Sequence, residues 1–116
     1  MSFKIRLESE TVTPKLAGID KRIKDEVAKE LDVVGADIKE MAETLVPVRT
    51  GYLKSTIYYR VEGMNLEVGA EADYAAYVEL GTSRMAARPY LRPSVDANQD
   101  KLKEAVKVGV LNALEG

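Results

Sequence analysis

Cysteine, histidine and tryptophan are all missing from this chain of 116 residues. Without cysteine there is no disulfide, no thiolate nucleophile and no sulfur ligand for a metal. Without histidine no imidazole relays a proton or holds zinc. A Gly-rich phosphate loop, a Walker lysine and a nucleophile elbow are missing as well. The expectation is a protein that is not an enzyme and uses neither cofactor nor metal. An excess of one charge is also lacking: 17 basic and 19 acidic side chains leave a net charge of −2, so nothing draws the whole chain to nucleic acid or an anionic membrane. No apolar run nears the ~18 residues of a membrane span. Met1–Glu10 alternates like a strand, where a secretory signal would carry an apolar block. A soluble protein made in the cytoplasm, without a membrane partner, is expected.

What is present reads as one globular domain over residues 1–116, with an ordinary share of hydrophobic (46%) and charged (31%) residues, enough apolar material for a single core. Phe3, Ile5 and Leu7 alternate with Lys4 and Arg6, the period of a half-buried strand that needs a neighbour to pair with. Leu16, Ile19, Ile23, Val27, Leu31, Val34, Ile38, Met41 and Leu45 then recur at spacings of three and four, which predicts a long amphipathic helix stopped before Pro47. Such a helix reaches about 40 Å, more than a domain of this size needs for its own core. Gly35 is its weak point unless close packing requires it.

After Gly51, alternation from Leu53 to Val61 and from Leu66 to Ala70 around Glu62-Gly63-Met64-Asn65 predicts a hairpin over Lys54–Ala70. Asp73 to Thr82 reads as a short helix capped by Asp73 and stopped by Gly81, in preference to a third strand, followed by an irregular Pro/Arg loop over Ser83–Pro93. A last helix should start at Ser94 as N-cap and carry Leu102, Ala105, Val106, Val110, Ala113 and Leu114. The fold class is therefore α+β, a long N-terminal amphipathic helix and a C-terminal helix packed on a small antiparallel β-sheet.

Most carboxylates lie on the solvated faces of these helices. Glu79, between Val78 and Leu80, is the exception: a partly buried acid expected to pair with an arginine of the following loop. Arg84, Arg88 and Arg92 form a local basic patch, suited equally to phosphate, to an acidic neighbour or to pairing within the fold. Tyr52, Tyr58, Tyr59, Tyr74, Tyr77 and Tyr90 sit near Arg49, Lys54 and Arg60, yet tyrosines on a half-buried sheet more commonly pack than stack on bases.

Three ordered blocks carry a resemblance. Val46-Pro47-Val48-Arg49-Thr50-Gly51-Tyr52-Leu53-Lys54-Ser55-Thr56-Ile57, then Tyr74-Ala75-Ala76-Tyr77-Val78-Glu79-Leu80-Gly81-Thr82, then Arg88-Pro89-Tyr90-Leu91-Arg92-Pro93 resemble the signatures of the HK97 gene-ten family of phage neck and tail-component proteins. Tyr90 stands where that family usually has phenylalanine, and Ser94 where it has alanine. The resemblance implies a structural virion protein of a long-tailed phage or prophage, assembled in the bacterial cytoplasm and placed at the neck. Its role there would be tail completion and head–tail joining. It also implies partners: further copies of itself in a ring, often six-fold in related proteins, other neck and tail proteins, and passing phage DNA.

A tail terminator is the alternative within that class, a small nucleic-acid-binding regulator the alternative outside it, and a hydrolase the weakest reading. Pro47, Thr50, Gly51, Leu53, Tyr74, Glu79, Gly81, Thr82, Pro89 and Pro93 are expected to shape the chain. Arg84, Arg88, Tyr90, Leu91 and Arg92 are expected to form an interaction loop in which Tyr90 and Leu91 serve as anchors.

Overall fold

The computed structural model describes residues 2–6, 19–47 and 51–115. Helix α1 (Ile19–Leu45) forms the spine. Its inward residues Ile23, Val27, Leu31, Val34, Ile38 and Ala42 are all buried, which is what the three-and-four spacing requires of one helical stripe. The predicted start at Leu16 lies outside the described residues. Beside α1 lies a three-stranded antiparallel sheet of β1 (Ser2–Arg6), β2 (Ile57–Glu62) and β3 (Asn65–Ala70), in the order β1-β3-β2. The terminal strand thus finds its neighbour within the chain, Phe3 opposite Val68 and Ile5 opposite Leu66. Central β3 buries Leu66, Val68 and Ala70. Gly63 and Met64 connect β2 to β3, and Gly63 has φ 60°, as the first corner of a two-residue hairpin turn demands.

Two elements depart from the sequence reading. Residues Gly51–Ser55 form a short helix, α2, so the hairpin begins at Ile57 and not at Lys54. Continued strand alternation would have pointed Ser55 the same way as Leu53 and Ile57, into the core. In α2 only Leu53 is buried, while the Ser55 and Thr56 hydroxyls donate to the carbonyls of Tyr52 and Leu53 and close the last turn. The second departure is in the C-terminal region, where α4 (Leu91–Ala97) precedes α5 (Gln99–Glu115). Ser94 is therefore inside a helix and is not its cap; its hydroxyl donates back to the Tyr90 carbonyl. Asn98 joins the two helices, its amide donating to Ser94 O at 2.7 Å.

Contacts between α1 and α5 run in opposite order along the two helices. Asn98 meets Met41, Lys101 pairs with Asp37 at 3.3 Å, and Gly109 packs on Val27. The helices are antiparallel and close. A Cβ at Gly109 would lie 2.7 Å from Val27 Cα. Gly35 has a similar reason to be glycine: a Cβ there would sit 2.5 Å from the Tyr59 ring, whose hydroxyl reaches Asp32 at 3.1 Å. The length of α1 stretches the molecule to 55 × 21 × 21 Å. No helix among the described residues is long and apolar enough to cross a membrane.

Candidate assembly interface

Helix α3 (Ala75–Leu80) turns Ala75, Val78 and Glu79 inward and leaves Tyr77 and Leu80 outward, three residues apart on one face. Glu79 is 4% exposed, a carboxylate in the interior, and its partners are backbone amides. One oxygen accepts from Tyr90 N at 3.0 Å and Leu91 N at 2.8 Å, the other from Arg92 N at 3.2 Å. These are the amides that the first turn of α4 leaves without helical partners, and the next residue, Pro93, has none to offer. A single side chain therefore satisfies the whole helix start, with a charge of the sign that a helix N-terminus favours. The expected pairing of Glu79 with an arginine does not occur among the described residues. Asp73 is likewise not the cap of α3; that position is Tyr74, without a side-chain bond.

The same two stretches are tied at three further points. Arg88 N donates to Val78 O at 2.8 Å, the Tyr90 hydroxyl donates to Ala75 O at 3.2 Å, and Gly81, at φ 77°, lets residue 87 approach where a Cβ would lie 2.7 Å from Ala87 N. Between these ties the chain makes a tight excursion in which Thr82 and Met85 exchange backbone hydrogen bonds at 2.8 and 3.3 Å. The Thr82 hydroxyl also accepts from Arg84 N. Residues 82–89 are all exposed. Pinned at both ends, this loop is presented on a fixed frame.

Several large apolar side chains of this region face solvent. Tyr52 (67% exposed) stands 6.5 Å from Tyr74, ring centroid to ring centroid; Tyr77 (60%) and Leu80 (69%) share the outer face of α3, and Met85 (45%) stands on the loop that follows. Tyrosine, methionine and arginine are the residues that protein interfaces favour. A family model matches residues 10–81, described as "Bacteriophage HK97-gp10, putative tail-component". The chain belongs to this family. Its members are phage tail components, and that is the role it gives the chain, within the virion and among other tail proteins. The matched span covers α2, the hairpin and α3, so the family region ends at the base of the exposed loop. No curated protein and no solved structure matches the chain.

Against this family frame, the residues singled out in the sequence divide. Leu53 is core, Pro47 follows α1, Gly51 opens α2, Tyr74 heads α3, and Glu79, Gly81, Thr82, Pro89 and Pro93 build the knot around the loop. Thr50 lies outside the described residues. Arg84, Arg88 and Arg92 are exposed, with no carboxylate partner among the described residues. Tyr90 and Leu91 are not surface anchors: both are fully buried, because the start of α4 turns them under α3. The large apolar side chains that do face solvent here are Tyr77, Leu80 and Met85. The signal for the first two was in the sequence, since a six-residue helix with Ala75, Val78 and Glu79 inward has to put Tyr77 and Leu80 outward.

Burial, with the nearby Glu79 charge and then Tyr74 adding to it, pushes the Tyr90 hydroxyl up from 10.0 to about 12. The folded value lies above the unfolded one, so the neutral phenol's contribution is complete below pH 10 and is lost as pH rises through about 12. Denaturant unfolding across that window should show stability falling steeply in the wild type. Tyr90→Phe should flatten the fall; an unchanged slope would remove Tyr90 as its source.

Proposed function

We propose that the chain completes the head-proximal end of the tail, acting by binding alone, and that these exposed apolar side chains and the arginine loop are the surface through which it joins its neighbours. Membership in a tail-component family supports the setting. The observation that carries the reading is the loop itself, a solvent-facing tip clamped by a buried carboxylate and flanked by Tyr77, Leu80 and Met85. A fold that fixes an exposed apolar surface so firmly has prepared it for a partner. Binding needs no reacting group. Assembly in the host cytoplasm, followed by residence at the neck of the virion, follows from this role.

The test is complementation of a phage lacking this gene. Leu80→Asp with Arg84→Glu changes only exposed side chains, so the variant should fold as the wild type does by circular dichroism. Filled heads and tails of normal length should then accumulate unjoined, with infectious titre down at least a hundredfold. Tails of uncontrolled length would assign the chain to tail termination instead, and undiminished titre would refute the proposal.

A further inference from the structure

Strand β2 stands at the edge of the sheet, whose order is β1-β3-β2. In its antiparallel pairing with β3, Glu62 and Asn65 close the two-residue turn as a hydrogen-bonded pair, and such pairs recur at every second position. Tyr58 and Arg60 therefore direct their backbone groups to β3. At the far end the Thr56 carbonyl keeps the same phase, accepting from Glu71 N at 3.4 Å. Ile57, Tyr59 and Val61 fall between these positions, so their N–H and C=O groups point away from the sheet. None of these groups has a backbone partner among the described residues.

Natural edge strands are commonly blunted by a proline, a bulge or an inward-pointing charge. β2 has none of the three: its register with β3 is one to one, and Ile57, Tyr59 and Val61 are its inward side chains. Alongside lies an open groove of about 720 Å3 between α1 and β2, where Ala28 and Val61 are the apolar lining. The charges around it do not balance. Lys29 pairs with Glu26 at 3.1 Å, which leaves two acids, Asp25 and Asp32, to one base, Arg22. Asp32 accepts the Tyr59 hydroxyl, but neither it nor Asp25 has an ion-pair partner among the described residues.

We infer that an extended segment of a partner polypeptide adds to β2 as a fourth strand, its backbone bonded to Ile57, Tyr59 and Val61 and its inward side chains in the groove. The lining specifies that segment: an apolar residue between two basic ones, at alternate positions along a strand. Asp25 and Asp32 are two helical turns apart, about 10 Å along α1, with Ala28 between them. Alternate strand residues repeat at roughly 7 Å on one face, so the basic pair spans about 13 Å, a difference that long flexible side chains absorb. No lining residue belongs to α3 or its loop, so this surface is separate from the one proposed above and either reading can fail without the other.

The probe is a blocked seven-residue peptide with lysine at its second and sixth positions, valine at its fourth and threonine elsewhere, added to the full chain. Amide exchange followed by NMR gives the footprint. Without peptide, Tyr59 and Val61 amides should exchange about tenfold or more faster than those of Tyr58 and Arg60; peptide should remove that difference and leave Tyr58 and Arg60 unchanged. Val61→Pro deletes an outward N–H and no bond to β3, so it should fold as the wild type does by circular dichroism and bind the peptide about tenfold or more weakly. Asp25→Lys, at an exposed position, should weaken binding severalfold through charge, an effect that fades in high salt.

No protection of Tyr59 and Val61 at millimolar peptide, or affinity indifferent to both substitutions, would overturn the inference. So would protection of these two amides that grows with the concentration of the chain alone, since a second copy would then fill the groove.

Discussion

Glu79→Ala should cost about 4–5 kcal/mol of folding stability, the low end for three amides that lose their acceptor together when each hydrogen bond to a buried charge is worth roughly 1.5–3 kcal/mol. For a domain of this size that lowers Tm by more than about 10 °C. The damage should be local first. Leu91 and Arg92 amides, protected in the wild type, should exchange with solvent far faster, and the start of α4 should fray. Glu79→Gln separates charge from shape: its single oxygen can keep Tyr90 and Leu91, but its NH2 turns a donor toward the Arg92 amide. An intermediate loss is expected. Thermal unfolding of the three proteins decides the matter, and a Glu79→Ala variant within about 1 kcal/mol of wild type would show that water replaces the carboxylate.

The second large effect is at Gly109. Its would-be Cβ meets the backbone of Val27 at 2.7 Å from Cα and 2.8 Å from N, atoms that no rotamer change can move aside. Gly109→Ala should gain about 1 kcal/mol in helix propensity and lose more than that to overpacking. Gly109→Val adds bulk where α1 and α5 touch and should lose roughly 3 kcal/mol or more, with the helices forced apart. Gly51→Ala is the control: nothing lies within 4 Å of a Cβ there, so its stability should match or slightly exceed wild type. Equal stability of Gly109→Val and Gly51→Ala in denaturant titration would contradict the close approach.

The long helix and the strands were readable because their periods are long and unmixed. Nine apolar positions at three-and-four spacing leave little choice for residues 16–45, and a glycine turn between two alternating runs does the same for the hairpin. Where a segment is short, the period no longer decides. Leu53, Ser55 and Ile57 alternate, yet Gly51–Ser55 is helical, because serine and threonine hydroxyls can close a helical turn as readily as they can line a strand.

The loop region misled for a different reason. Two prolines argued against a helix over Ser83–Pro93, but Pro93 occupies the first turn of α4, where a missing amide costs nothing. That an acid twelve residues earlier caps this turn is a long-range fact with no local mark. Glu79 stood out only as a charge between two apolar neighbours. Its partners are the backbone amides of residues 90–92, not the arginine side chain that its charge suggests.

Gly81 and Tyr90 are held together by the frame beneath them, so the segment between them is a closed loop whose closure entropy is already met by buried bonds. Its tip, Ser83 and Arg84, contributes nothing to the core. Sequence drift, or a short insertion, at that tip changes the exposed surface without changing what the domain folds into. The residues that hold the fold and those that face outward thus stand only a few positions apart, and under the proposed assembly role such a protein can follow a changing neighbour without losing its fold.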